Sequence, residues 1–259
     1  MRKITCFLLF AVIFLCTAGK NPSIDRKALV MRNNPQVNSF DSLAAFTVGN
    51  GEFAFTVDAT GLQTFPDKYT KGIPLGTQSQ WGWHSFPNPQ NYEHSETLKN
   101  YNFRGKEEPY SVQFNEPGRQ SDAANWFRIN PHRLHLGIIG FDFDGEADFK
   151  HIKDVKQQLN MWKGEIFSAF RYYDKPVQVT TLCHPNNDAI AARIVSKEHP
   201  FLKFRFPYPT GGHSDDACNW MSDHLHSTKI LQQTANYILL ERELDKTKYY
   251  LTIEWEGNA

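Results

Sequence analysis

"VKQQLNMWKGEIFSAFRYYDKPVQVTTLC", Val155–Cys183, decides the fold class. Three runs within it, VKQQLNMW, EIFSAFRYY and VQVTTLC, carry their apolar residues at a period nearer two than 3.6. The breaks between them, Lys163-Gly164 and Asp174-Lys175-Pro176, are turn formers. Alternation bounded by Gly, Pro, Asn or Asp is the pattern of antiparallel strands joined by tight turns. Beyond the His184–Asp188 loop the pattern continues through AIAARIVS, LKFRF, KILQQTANYILLERE and YYLTIEWE, from Ala189 to Glu256. Each run is of strand length, so the second half of the chain is predicted to be a meander of long strands.

Upstream, AAFTV and EFAFTVD flank Gly49-Asn50-Gly51. The third glycine of a dinucleotide fingerprint is replaced by Ala54, and no Gly-Lys-Ser/Thr follows as a phosphate loop requires. The spacing instead predicts a hairpin, with Asn-Gly supplying the positive φ angles of a type I′ turn. Between Pro66 and Pro131 the composition changes to Pro, Asn, Gly and aromatics, as in IPLGTQSQWGWHSFPNPQNY, which predicts long ordered loops of functional character. No stretch holds a helical stripe for three turns, although Ser214–Ser227 has room for a short helix. The expected architecture is all-β: one large antiparallel β-sandwich over residues 20–259, with long decorated loops. The 20 Phe, 10 Tyr and 6 Trp are mostly needed to fill the roughly 10 Å between two facing sheets.

The N-terminus sets the compartment. Arg2 and Lys3 precede an apolar run from Ile4 to Leu15 and the small residues Thr17, Ala18 and Gly19, the arrangement of a secretory signal peptide over residues 1–19. The run is shorter than the roughly 20 residues that span a bilayer. A periplasmic or secreted protein is therefore expected, with no membrane partner. Removing Arg2 and Lys3 from 28 basic residues leaves 26 against 28 acidic ones, and no basic run remains, so nucleic acid is not an expected partner either. Cys183 and Cys218 survive signal removal; the compartment permits a bridge, but two cysteines 35 positions apart do not make a disulfide framework.

Metal and catalytic signatures are weak. DFDGEAD, Asp142–Asp148, spaces carboxylates, yet an EF-hand loop counted from Asp142 would put Ala147 where Gly is required and Lys153 where Glu is required. His132/His135 and His224/His226 lie in no H-E-x-x-H helix, and the cysteines lack zinc spacing. GGHSDD brings Ser, His and Asp together only in sequence, whereas a triad is a matter of geometry. No metal and no cofactor is expected. QWGWHSF is more informative: Trp81 and Trp83 lie two apart, so in an extended segment they share one side and His84 takes the other. Sugars present flat C–H faces rimmed by hydroxyls, which aromatic platforms beside polar groups can hold. Trp81, Trp83 and His84 are thus the candidate carbohydrate-binding residues, with Trp126, His132 and Arg133 of NWFRINPHRLHLG nearby in the same loop-rich region. The alternative is that these tryptophans pin a long loop to the scaffold.

Taken together, FTVGNGEFAFTVDATGLQTF (46–65), PLGTQSQWGWHSFPNP (74–89), NPHRLHLG (130–137) and the stretch Gln157–Ser196 resemble the N-terminal region of bacterial six-hairpin glycosidases, relatives of the maltose-phosphorylase and α-fucosidase type enzymes. The resemblance runs from about Asn33 to Ala259. It implies a supersandwich like that of galactose mutarotases. It also implies a partner, an (α/α)6 catalytic barrel C-terminal to this region or supplied in trans, which carries the acid and base. Hydrolysis of a glycosidic bond ordinarily uses two carboxyl groups roughly 5 to 9.5 Å apart, and no residue of this chain is nominated for that work. The expected role is a non-catalytic domain that lends loops, with Trp81, Trp83 and His84, to a sugar site. A free-standing carbohydrate-binding module and a mutarotase-type epimerase, which needs only a positioned His and carboxylate, are the competing functions.

Overall fold

The Val155–Cys183 stretch forms a meander. Strands Ile152–Asn160, Glu165–Tyr172, Lys175–Cys183 and Ile190–Ser196 pair antiparallel in chain order, and the short strand Gln36–Val37 adds to the outer side of the first. The computed structural model describes residues 23–142, 149–197, 201–213 and 216–257. The segment read as a signal peptide, the DFDGEAD residues after Asp142, and Ser214 and Asp215 of GGHSDD lie outside these. Alternation works as the sequence implies: Ile166, Ser168 and Phe170 are buried, as are Val177, Val179 and Thr181 on the neighbouring strand, while Phe167 is 44 % exposed on the opposite face. Tyr173 and Asp174 both take positive φ, the signature of a two-residue type I′ hairpin.

The hairpin Phe46–Gly49/Phe53–Val57, extended by Thr77–Ser79, lays Phe46, Val48, Phe53, Phe55 and Val57 against Ile166 of the meander. The turn that follows, Asp58–Phe65, plugs the adjoining core of Ala59, Leu62, Phe141, Val155, Phe170, Val177 and Val179. At Gly61 the backbone has φ +82° and a Cβ would meet Ser168 Oγ at 2.7 Å, so only glycine fits this approach of turn to sheet. The C-terminal strands His226–Gln233, Tyr237–Leu244 and Thr247–Glu254 make a second meander, whose Leu244 and Tyr249 pack on Leu134. The KILQQTANYILLERE run is therefore two strands, reversed at Thr234–Asn236, where Thr234 N donates to Tyr237 O at 2.8 Å. The protein is all-β in class, built from antiparallel sheets.

Two expectations need correction. Arg119–Ile129 is an α-helix of 11 residues inside the region read as loop, and Leu98–Phe103 and Lys106–Ser111 form a hairpin there. The helix escapes a periodicity search because its wholly buried residues are Ala123 and Ala124, so no large apolar stripe marks it. The Asn50 corner is a hairpin, but not of type I′: three residues join the strands, and only Gly51 (φ +97°) is left-handed. Asn50 Oδ1 instead accepts from Glu52 N (3.0 Å) and Phe53 N (2.8 Å), so the side chain builds the turn. In the Ser214–Ser227 segment, Asp223–Leu225 forms one 3-10 turn.

Candidate functional site

Trp81 and Trp83 stand where the strand Thr77–Ser79 ends. Gly82 N donates to Ser79 O, and Trp83–His84 then pairs antiparallel with His132–Arg133, setting Trp83 opposite Arg133 and His84 opposite His132. Trp81 and Trp83 are 50 % and 46 % exposed, whereas Gly82 and His84 are buried. The two indoles thus lie outward, and His84 lies beneath them.

Both indoles are held by specific partners. Trp81 Nε1 donates to Asp188 Oδ2 at 2.7 Å, the same oxygen that accepts from Ser79 Oγ at 2.5 Å, and the Trp81 ring leans on Tyr249 with centroids 6.0 Å apart. The Arg133 guanidinium lies 4.3 Å over the Trp83 ring while its Nη1 donates to the carbonyls of Ser79 (3.0 Å) and Gln80 (3.1 Å). Asp188 belongs to the His184–Asp188 loop, which Asn50 clips through Nδ2 to His184 O (3.2 Å) and Asn187 O (3.1 Å). The Gly-Asn-Gly corner therefore takes part in orienting Trp81, two steps removed. Trp126, also singled out from the sequence, sits on the Arg119–Ile129 helix and pins the proline-rich loop by donating to Pro87 O at 3.2 Å.

His84 is 2 % exposed and has both ring nitrogens engaged: Nδ1 is 2.9 Å from His132 Nε2, and Nε2 is 2.9 Å from Asp245 Oδ2. Tyr208 Oη donates to that same Asp245 oxygen at 2.7 Å, and His132 Nδ1 lies 2.7 Å from Ile129 O. A proton count follows. The Ile129 carbonyl only accepts, so His132 Nδ1 carries a proton. An ionised Asp245 also only accepts, so His84 Nε2 carries another, and the contact between the rings needs a third. Three protons over two imidazoles and one carboxylate leave the complete network with no net charge. Burial holds both His84 and His132 below the ordinary histidine range; the like charge of His132 adds to this at His84, and Asp245 opposes it. Asp245 stands at the tip of the Leu244–Thr247 hairpin, with φ +49°, so the network fastens the C-terminal meander to the tryptophan segment.

Beside Arg133 lies a cavity of about 250 Å³, lined by Gln78, His132, Arg133, His135, His213 and Asp216 among others. His135 Nε2 donates to Leu75 O at 3.2 Å and Nδ1 accepts from Gly137 N at 3.1 Å, which fixes a neutral tautomer; burial lowers its pKa to about 4. Asp216 accepts from Cys218 N and from Trp220 Nε1. The acids around the tryptophans, Asp188, Asp216 and Asp245, all accept hydrogen bonds from protein donors, and the buried histidines are satisfied in the same way. Among the described residues, no three His, Cys, Asp or Glu side chains converge to hold a metal ion, and no helix is long and apolar enough to cross a membrane. Cys183 and Cys218 are not bridged. No protein-family model matches the chain, and a search of curated proteins finds no matching relative.

Asp188, Asp245 and Tyr208 were not anticipated from the sequence. Their signal is only local, a loop acid, a hairpin tip and a strand tyrosine, and their partners are up to 161 positions away.

Proposed function

We propose that this chain is the N-terminal, non-catalytic β-sandwich region of a secreted or periplasmic glycoside hydrolase of the six-hairpin kind, a supersandwich like that of galactose mutarotases. In this reading it packs against an (α/α)6 catalytic barrel and shapes a carbohydrate site with Trp81 and Trp83. One observation carries it: two half-exposed tryptophans are each fixed by a polar partner of their own, and one of those partners, Arg133, also lines a polar cavity. Fixed aromatic faces lose little freedom when a sugar stacks on them. His84 then supports the platform from beneath and does not touch the sugar. A mutarotase-type role is disfavoured because neither nitrogen of His84 or His132 is left to exchange a proton with a substrate.

The test is calorimetric binding of oligosaccharides to the purified protein, together with an aryl-glycoside hydrolysis assay. Trp81→Ala and Trp83→Ala are each expected to weaken binding about tenfold, the equivalent of ~1.4 kcal/mol, with no cleavage by any variant. Cleavage abolished by a single Asp or Glu substitution would overturn the non-catalytic reading. Undiminished binding in both tryptophan variants would remove the platform.

A further inference from the structure

We infer that the sugar held at this surface is anionic, and that Arg133 receives its acidic group. This rests on the sugar-binding reading above and adds the class of sugar. Arg133 lines the cavity and at the same time covers Trp83. Among the described residues only Nη1 finds hydrogen-bond partners, the two main-chain carbonyls Ser79 O and Gln80 O. No carboxylate among the described residues pairs with it: the acids nearest the platform, Asp188 and Asp216, take Ser79 and Trp81, and Cys218 and Trp220, respectively.

An arginine fixed at one end, with the donors on Nε and Nη2 taken by no described residue, is a preformed fork for a carboxylate or sulfate. The cavity's other polar linings, Gln78 and His213, offer neutral hydrogen bonding for hydroxyls, and about 250 Å³ accommodates one sugar ring rather than an oligomer. Asp216 lines the same cavity, where its carboxylate acts on the neutral His135, so a ligand here meets Arg133 with an acid nearby.

The test compares three probes on the purified protein by titration calorimetry: a galacturonate trisaccharide, the same trisaccharide with its carboxyls reduced to alcohols, and a sulfated galactan oligosaccharide. The uronate is expected to bind at least about tenfold tighter than its reduced form. That advantage is expected to shrink as salt rises from ~20 to ~300 mM, while the neutral probe is indifferent. Arg133→Met is expected to weaken both probes through the loss of Trp83's partner but to abolish the uronate's advantage over its reduced form, and Arg133→Lys to restore that advantage in part, a point charge replacing a fork. Tighter binding of the sulfated probe than of the uronate would assign the fork to sulfate and keep the anionic class. Equal binding of the uronate and its reduced form by the unmodified protein overturns the inference while leaving the sugar platform standing. If no probe binds, the platform reading fails with it.

Discussion

Two buried groups titrate in the same pH window with opposite effects on stability, and separating them tests the burial argument quantitatively. His135 is enclosed beside the cavity and its pKa falls from the ordinary 6.5 to about 4; Asp58, enclosed in the turn that plugs the core, rises from 3.8 to about 6. Burial is the leading cause of both. For Asp58, the hydrogen bonds from Thr60 N, Thr60 Oγ1 and Phe65 N offset only part of it. The signs differ. A histidine harder to protonate when folded contributes stability that is intact above 6.5 and is lost as pH falls through 6.5 toward 4, because the unfolded chain takes the proton first. An aspartate easier to protonate when folded carries a penalty above 6 that is relieved as pH falls from 6 toward 3.8.

Between pH 7 and pH 4, His135 should therefore cost the fold about 3 kcal/mol and Asp58 should return about 2.5 kcal/mol. The two nearly cancel in the unmodified protein; His84, His132 and His226, lowered chiefly by burial, add acid sensitivity, as do the lowered carboxyls of Glu96 and Glu241. Asp58→Asn should unmask the loss, making the pH 7 to pH 4 decrease about 2.5 kcal/mol larger. His135→Gln, whose amide can still donate toward Leu75 O, should make it about 3 kcal/mol smaller. The assay is equilibrium urea unfolding at the two pH values with the m-value checked for constancy. Using the difference between pH values within each variant removes whatever the substitution costs at both. If Asp58→Asn and His135→Gln each leave that difference within ~0.5 kcal/mol of the unmodified protein's, burial does not shift these groups as argued.

Asp245→Ala should cost about 2–3 kcal/mol at pH 7, since it strands His84 Nε2 in the interior and frees Tyr208 Oη. Asp245→Asn should cost less than about 1 kcal/mol, because the two amide hydrogens can serve His84 Nε2 and Tyr208 Oη without the third proton; equal losses in the two variants would refute the proton count. Asn50→Ala removes the side-chain bonds that build its own turn and those that clip the His184–Asp188 loop. It should lower stability by about 1–2 kcal/mol and raise the acrylamide quenching of the exposed indole fluorescence, as Asp188 lets go of Trp81; unchanged quenching would break that chain of contacts.

What was legible in the sequence, and what was not, divides along one physical line. Strand formation depends on alternation within eight or nine residues, so Glu165–Tyr172 and Lys175–Cys183 could be read directly, and so could the outward tryptophans with His84 inward, since a pleat sends neighbours to opposite sides. The Arg119–Ile129 helix was illegible because two buried alanines hold it in place rather than an apolar stripe. The site's supporting contacts were illegible for a different reason. Asp188 reaches Trp81 across 107 positions and Asp245 reaches His84 across 161, and each leaves in its own neighbourhood only the trace of a polar turn. In the proposed reading, these contacts are what make a platform of the two indoles. Without Asp188 and Arg133, Trp81 and Trp83 would be two exposed indoles of no set orientation; with them, each ring is fixed before any ligand arrives, and the freedom a sugar would otherwise have to remove is already lost on folding. The Gly-Asn-Gly corner joins the two scales. Its hairpin follows from five residues of local pattern, but the side chain of Asn50 spends its remaining donors on the loop that carries Asp188, so a residue chosen for a turn also sets the aim of a surface indole.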